Sequence, residues 1–236
     1  MLVGKFDNNF EIFIIFVIFE KLQILVIIMT DNKSYSTLGR KMVGKKLTKV
    51  LKGFYEGSLL ISTPSILDPR FNKTVIYMLS HNKKGAMGLI INKPLKELDF
   101  QELVTGMASG NTEGQVGQTV LFGGPVEFQR GFLLHSSEYS IPGKTLKLGN
   151  NYNLTNDTKA LEDVCEGKGP ISSVFTLGYS GWYAGQLERE ILEDAWLVAQ
   201  ADPSIIFGRN HSEKYDFSLS SIGINNGYLA TKSGRA

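Results

Sequence analysis

Apolar residues along this chain come in short runs broken by turn signals, and only a few stretches show the spacing of a helix. Residues 59–62 and 75–79 are rich in β-branched and aromatic side chains, and Asn82-Lys83-Lys84-Gly85 joins the second run to 89–91 as a glycine-containing hairpin loop does. Further strands are predicted at 120–122, ending in a Gly123-Gly124-Pro125 turn, at 128–134, at 144–148 and 152–154 around Gly149-Asn150-Asn151, and at 195–198. Helical spacing appears at Phe100, Leu103 and Val104 after an Asp99 cap, and at Ala160, Leu161 and Val164 after Asp157. It appears again at Leu187, Ile191 and Leu192 after Gly185, with shorter helices over 203–207 and 213–222. Residues 107–118 are glycine-rich and polar and read as a loop, and the polar end from Gly223 reads as a fraying tail, disordered over 225–236. Strands outnumber helices and several are joined by hairpins. That pattern predicts an α+β domain with a mixed, largely antiparallel sheet.

The chain's 236 residues, 42% of them hydrophobic, are enough for a sizeable core, and no linker interrupts the text after Phe54. The net charge of +2 conceals an asymmetry: residues 31–52 carry seven Lys/Arg against one acid, while Gly53 onward carries 16 basic and 19 acidic residues, a balance of −3. A domain that grips nucleic acid through phosphates shows a basic excess on its body, and this one does not. Residues 40–52 read as a solvated basic lead-in. Residues 10–29 are Ile/Phe-rich, but Glu11, Glu20 and Lys21 leave only eight uninterrupted apolar residues, 12–19, where a spanning helix needs about twenty. A signal peptide is not indicated either, because Lys5 is offset by Asp7 and no small-residue cleavage site follows. Neither membrane nor nucleic acid is therefore an expected partner. A single cysteine, Cys165, permits no intrachain disulfide, and cytoplasm is the expected compartment.

Candidate chemistry is sparse. Three scattered histidines (His81, His135, His211) and one cysteine lack the close pairing of a zinc site, so neither metal nor cofactor is expected. His81 and His135 both end apolar runs and are open to meeting across neighbouring strands. Acidic neighbours of Cys165 raise its thiol pKa, which makes it a poor nucleophile. Asp68-Pro69-Arg70-Phe71 reads as a capped helical first turn with a structural ion pair. The segment from Ser173 to Ile191 reads as strand, glycine-rich turn, helix, which is the setting of a nucleophile elbow, but Trp182 stands where that motif needs its last glycine. Gly178, Gly181 and Gly185 ahead of a helix also suggest a phosphate cradle, although no lysine follows. The alternative is packing: the glycines bring the chain close to the sheet and Trp182 fills the core, removing roughly 200 Å2 from water.

Three blocks carry a resemblance to a known family. Asp68-Pro-Arg-Phe71, His81-Asn82 and Gly85-Ala-Met-Gly-Leu-Ile-Ile-Asn92 form the first. Phe122-Gly-Gly-Pro-Val126 with Arg130-Gly-Phe-Leu-Leu-His135 form the second, and Gly178-Tyr-Ser-Gly-Trp182 with Gly185-Gln-Leu-Glu188 and Asp194-Ala-Trp196 the third. In order and rough spacing they resemble the AlgH/YqgE family of uncharacterised bacterial proteins, from Phe54 to the last thirty residues. The resemblance implies a strongly curved, barrel-like sheet with helices packed outside it, a domain over 53–224, and an extension over 1–52 foreign to the family, with Met29 as the expected translation start. It speaks against Ser180 as a nucleophile, since relatives commonly carry alanine there. It implies a non-catalytic binding or interaction module for an unidentified protein or small molecule, with two alternatives. The family name implies a transcriptional regulator, and an enzyme using the His81/His135 region is the other. Any ligand-binding surface is expected among Gly178, Gly181, Trp182, Gly185, Gln186, His81, Asn82, Asp68 and Arg70.

Overall fold

The computed structural model describes residues 54–107, 118–208 and 210–224, and the backbone of one short antiparallel pairing, Ile18–Phe19 with Leu22–Gln23. The expectations for the extension, for the loop over 108–117 and for the tail over 225–236 lie outside the described residues.

The body carries strands β1 (Ser58–Ser62), β2 (Val75–Asn82) and β3 (Gly85–Ile90), then helix α1 (Phe100–Met107). Strands β4 (Val120–Phe122), β5 (Val126–Ser136), β6 (Thr145–Leu148) and β7 (Tyr152–Thr155) follow, then α2 (Thr158–Cys165). The last third holds β8 (Ser173–Tyr183), α3 (Gln186–Leu192), β9 (Trp196–Gln200), α4 (Pro203–Phe207) and α5 (Lys214–Ser221). The strands pair in the order β9-β1-β2-β3-β8-β5-β7-β6, antiparallel throughout, and β4 adds to β8 in parallel. The architecture is α+β, with a curled half-barrel sheet.

The curl follows from side-chain alternation. Leu59, Ile61, Val75, Tyr77, Leu89 and Leu134 point to one face, where they share a buried cluster with Tyr152 and with Ile206 and Leu219 of α4 and α5. Tyr77 on β2 and Tyr152 on β7 stand four strands apart in hydrogen-bonding order, about 19 Å in a flat sheet. Their rings meet at 5.5 Å. The sheet therefore closes on its own apolar face, and α4 and α5 cap the opening, with Phe207 against Tyr152 at 5.8 Å. The outer face is covered in two patches: α1 and α2 pack through Phe100, Val104, Ala160, Leu161 and Val164 onto Leu133, Phe175 and Leu177, and α3 packs through Leu187 onto Leu60, Ile76, Met78 and Ile90.

Aspartates cap three of the helices as that residue type dictates. Asp99, Asp157 and Asp202 each accept a backbone N–H two residues on, at 2.9, 3.0 and 2.7 Å.

One charge is buried without a counter-charge. Lys214 is 1% exposed, and its Nζ donates to the Ile91 and Ile206 carbonyls at 3.0 and 2.6 Å. Burial pushes the ammonium down to about 7. A neutral amine still offers two N–H groups, enough for both carbonyls. In the unfolded chain the group keeps its ordinary value of 10.5. Between about 7 and 10.5 the unfolded state therefore holds a proton that the folded state has released, and stability rises with pH across that window. From pH 7 to pH 9 the expected gain is about 2 kcal/mol in urea unfolding, and Lys214→Met flattens the profile. A wild-type profile that is already flat there contradicts the burial argument.

Candidate functional site

The first and third sequence blocks converge on the outer face beneath α3. Strand β8 carries Trp182 there, β9 carries Trp196, and the 3-10 turn Pro69–Phe71 brings Phe71 against Trp196, ring to ring at 5.8 Å. The two indoles lie edge to face at 6.0 Å. Both donate their Nε1–H to one carboxylate oxygen, Glu190 Oε2, each at 2.8 Å. The other oxygen, Oε1, accepts from Gln186 Nε2 at 2.8 Å, and Gln186 Oε1 accepts from the Tyr183 backbone at 3.0 Å. One α3 carboxylate thus ties two strands and the preceding turn together.

His81 sits at the next position along this face, 3% exposed, stacked on Tyr55 at 5.2 Å and edge-on to Phe54 at 6.1 Å. Its Nδ1 accepts the Tyr55 backbone N–H at 3.2 Å, so the neutral ring carries its hydrogen on Nε2. Glu188 Oε1 lies 3.1 Å from Nε2, but off the axis that a full hydrogen bond requires, and the contact is chiefly electrostatic. With Nδ1 occupied by backbone and Nε2 facing a carboxylate, the imidazole has no free lone pair for proton abstraction. Burial first, and Glu188 second, raise the Tyr55 phenol. Asn82 turns the hairpin, its Oδ1 accepting from Lys84 N at 2.8 Å.

Asp68 caps the 3-10 turn and grips Arg70 through Nε and Nη2, the latter at 2.6 Å. The Arg70 side chain, by its hydrogen bond, holds the Asp68 carboxyl below its ordinary range. Both side chains are substantially exposed, so the pair shapes a turn and adds little stability.

The glycine block differs from the turn predicted for it. Gly178 and Gly181 are not in a loop: β8 runs unbroken through them, with a register irregularity between Leu177 and Tyr179. At this point the strand leaves β4 and takes β3 as neighbour. Gly178 has φ +72°, and a Cβ there would lie 2.4 Å from the Gly124 carbonyl oxygen. Two backbones cross at contact, which the second and third blocks supply together. The turn comes later, at Gly185 ahead of the seven-residue α3, so Gly178 and Gly181 do not flank the N-terminus of that helix. Ser180 is 1% exposed, with Oγ 3.5 Å from the Gly123 carbonyl.

The two strand-end histidines do not meet. His81 pairs with Ala86 and Ala86 with Trp182, whereas His135 pairs with Ser173. Those rungs are nine steps apart on β8, roughly 30 Å along the strand. His135 is fully buried between the Ser136 carbonyl and Thr155 Oγ1, both at 2.9 Å, and burial lowers its pKa. Cys165 is buried on α2, and burial, more than Glu166, raises its thiol. Among the described residues no three His, Cys, Asp or Glu side chains gather as metal ligands, and no helix is long and apolar enough to cross a membrane.

The AlgH-like family model (DUF179) matches residues 59–227, the stretch that contains all three blocks. The chain belongs to the AlgH-like family. It is 39% identical over 213 residues to a UPF0301 protein of Bradyrhizobium sp. strain BTAi1, covering 87% of this chain and 99% of that protein, an alignment longer than the stretch from Phe54 onward. It is 43% identical over 190 residues to a UPF0301 protein of Afipia carboxidovorans, covering 78% and 90%. The solution structure of the AlgH protein from Pseudomonas aeruginosa shares the fold with a TM-score of 0.64 at 36% identity, over 78% of this chain and 96% of that one. A Corynebacterium diphtheriae protein at 18% identity and TM-score 0.57 shares the fold alone. Within the AlgH-like signature, Asp68, Arg70, His81, Trp182, Gln186 and Glu188 stand in the blocks recognisable from sequence, whereas Glu190 does not. Nothing local marks what the two glutamates meet, because His81 and the indoles lie on strands.

Proposed function

We propose that this AlgH-like domain is a non-catalytic binding or interaction module located in the cytoplasm. The observation that carries the reading is the mutual engagement of the signature polar groups. Glu190 serves two indoles and Gln186, His81 serves Tyr55 N and faces Glu188, and Asp68 serves Arg70. An acid, base or nucleophile for turnover needs an uncommitted proton-transfer atom beside a substrate position. The cytoplasmic placement rests on the chain's one cysteine, which is buried and permits no intrachain disulfide.

A regulator that holds DNA would need a cationic face on the body, against the 16 basic and 19 acidic residues from Gly53 onward. Thermal unfolding of the full chain with nucleotides, metabolites and duplex DNA separates these readings. At least one small molecule is expected to raise Tm by mass action, and duplex DNA is expected to leave it unchanged at low salt. A DNA-induced rise that salt abolishes would establish the regulator instead. Turnover of any ligand, lost in His81→Ala, would establish the enzyme.

A further inference from the structure

Where the chain enters β2 and leaves β3, two lysines are drawn together. Asn92, 7% exposed, follows β3, and its carboxamide reaches the segment that opens β2: Oδ1 accepts the Val75 N–H at 2.9 Å and Nδ2 donates to the Lys73 carbonyl at 2.9 Å. The next residue, Lys93, sends its ammonium to the Asn72 carbonyl. Lys73 itself holds φ +48°, a left-handed conformation that a residue with a Cβ keeps only where its surroundings impose it. The buried Thr74 secures it from the other side, its N–H donating to Ser62 Oγ at 2.7 Å. We propose that Lys73 and Lys93 form a binding site for a phosphate group, free or carried by a small molecule.

The pair concentrates positive charge with nothing to offset it. Among the described residues neither lysine has a carboxylate within ion-pair distance, whereas Arg70, Arg130, Lys144, Lys159 and Lys168 each have one. Asp68, the acid of the neighbouring 3-10 turn, is held by Arg70. Lys93 is half-buried, and burial first, Lys73 second, push its ammonium down. Two free surface lysines would swing apart into water. Here one ammonium is pinned on a carbonyl and the other springs from a backbone held in place, so the repulsion persists until an anion joins them. Lys93 Nζ carries three N–H groups and uses one on Asn72, which leaves donors for such a guest. Phosphate fits better than carboxylate, because its charge of about −1.5 to −2 at neutral pH matches two ammoniums. Lysine takes phosphate as a point charge and needs no planar fork to do so.

The proposal rests on the binding-module reading and names a ligand class for it, yet it can fail alone. The full chain, with 13C-labelled lysine, is titrated at pH 7.5 and constant ionic strength with inorganic phosphate and, separately, glycerol phosphate, using acetate as the monoanion. At least one phosphate is expected to move the Lys93 Cε resonance saturably, and acetate is not. Tighter binding of inorganic phosphate marks the free ion as the guest, and tighter binding of glycerol phosphate marks an ester. Affinity is expected to fall about tenfold in Lys93→Met and in Lys73→Met, and to stay unchanged in the double variant Lys83→Met/Lys84→Met, which removes two exposed lysines of the β2–β3 hairpin. Lys73→Met alters an exposed side chain, and it carries the test where Lys93→Met melts early. No saturable response to either phosphate, equal binding of acetate, affinity unchanged by Lys73→Met, or an equal fall in the hairpin variant each overturns the proposal. A Tm rise from an uncharged compound with no response to phosphate sinks this site and leaves the module reading standing.

Discussion

Replacing Gly124 with alanine is expected to remove the cooperative fold. A Cβ at this position would lie 2.1 Å from the Tyr179 carbonyl carbon, 2.2 Å from its oxygen and 2.4 Å from Ser180 N, and the residue holds φ +151°. All three are backbone atoms of the central strand, so no rotamer change relieves the overlap, and β8 must move off β4 and the Gly123-Gly124 turn. Gly123 N donates to Leu177 O at 2.8 Å and Gly123 O accepts from Ile90 N at 2.9 Å, and both bonds break with that movement. Losses above about 4 kcal/mol come from this kind of mechanism, against a total of about 5–15 kcal/mol for a domain. Gly181→Ala is the internal comparison. Its Cβ would meet the Tyr179 ring at 3.5 Å, an ordinary contact, and less than about 1 kcal/mol is expected. Urea unfolding followed by far-ultraviolet circular dichroism measures both. Equal midpoints for the two variants would show that the crossing does not organise the sheet.

The second large effect is at Glu190. Trp182 and Trp196 are 8% and 4% exposed, and their indole N–H groups share the single oxygen of this side chain. Glu190→Ala leaves two donors unpaired, at about 1–3 kcal/mol each, and a loss of about 3 kcal/mol is expected. Glu190→Gln keeps an oxygen for the indoles but turns an amide donor toward Gln186 Nε2, so about 1 kcal/mol is expected. The ordering Ala below Gln below wild type is the signature of the shared acceptor. If both variants fall within about 0.5 kcal/mol of wild type, water replaces the carboxylate and the tie is not structural.

The residues that announced themselves in sequence are those whose role is local. Asp68, Asp99 and Asp157 bond to backbone two residues away, and Asn82 and Gly85 turn a hairpin. Unbroken apolar runs at 59–62 and 75–79 marked β1 and β2 because both faces of each are buried, one in the closed interior and the other beneath α3. Gly178 misled because glycine ordinarily punctuates chains, whereas here it lets two extended segments cross at contact. The partners of His81 and the tryptophans were invisible for a different reason. Glu188 and Glu190 look like the wet side of an amphipathic helix, and only the curl of the sheet turns that side onto the indoles and the imidazole. Nothing in the short helix predicted over 213–222 marks Lys214 for burial either. Its burial is set by the Ile91 carbonyl, 123 residues away.

The chain's two tryptophans, both in the α3 cluster, have a practical consequence. Intrinsic emission excited at the red edge originates from one spot, quenchable through one shared carboxylate. It follows the α3 side of the sheet and is blind to the α1–α2 side, so any order in which the two halves come apart is readable as a gap between emission and ellipticity without a label.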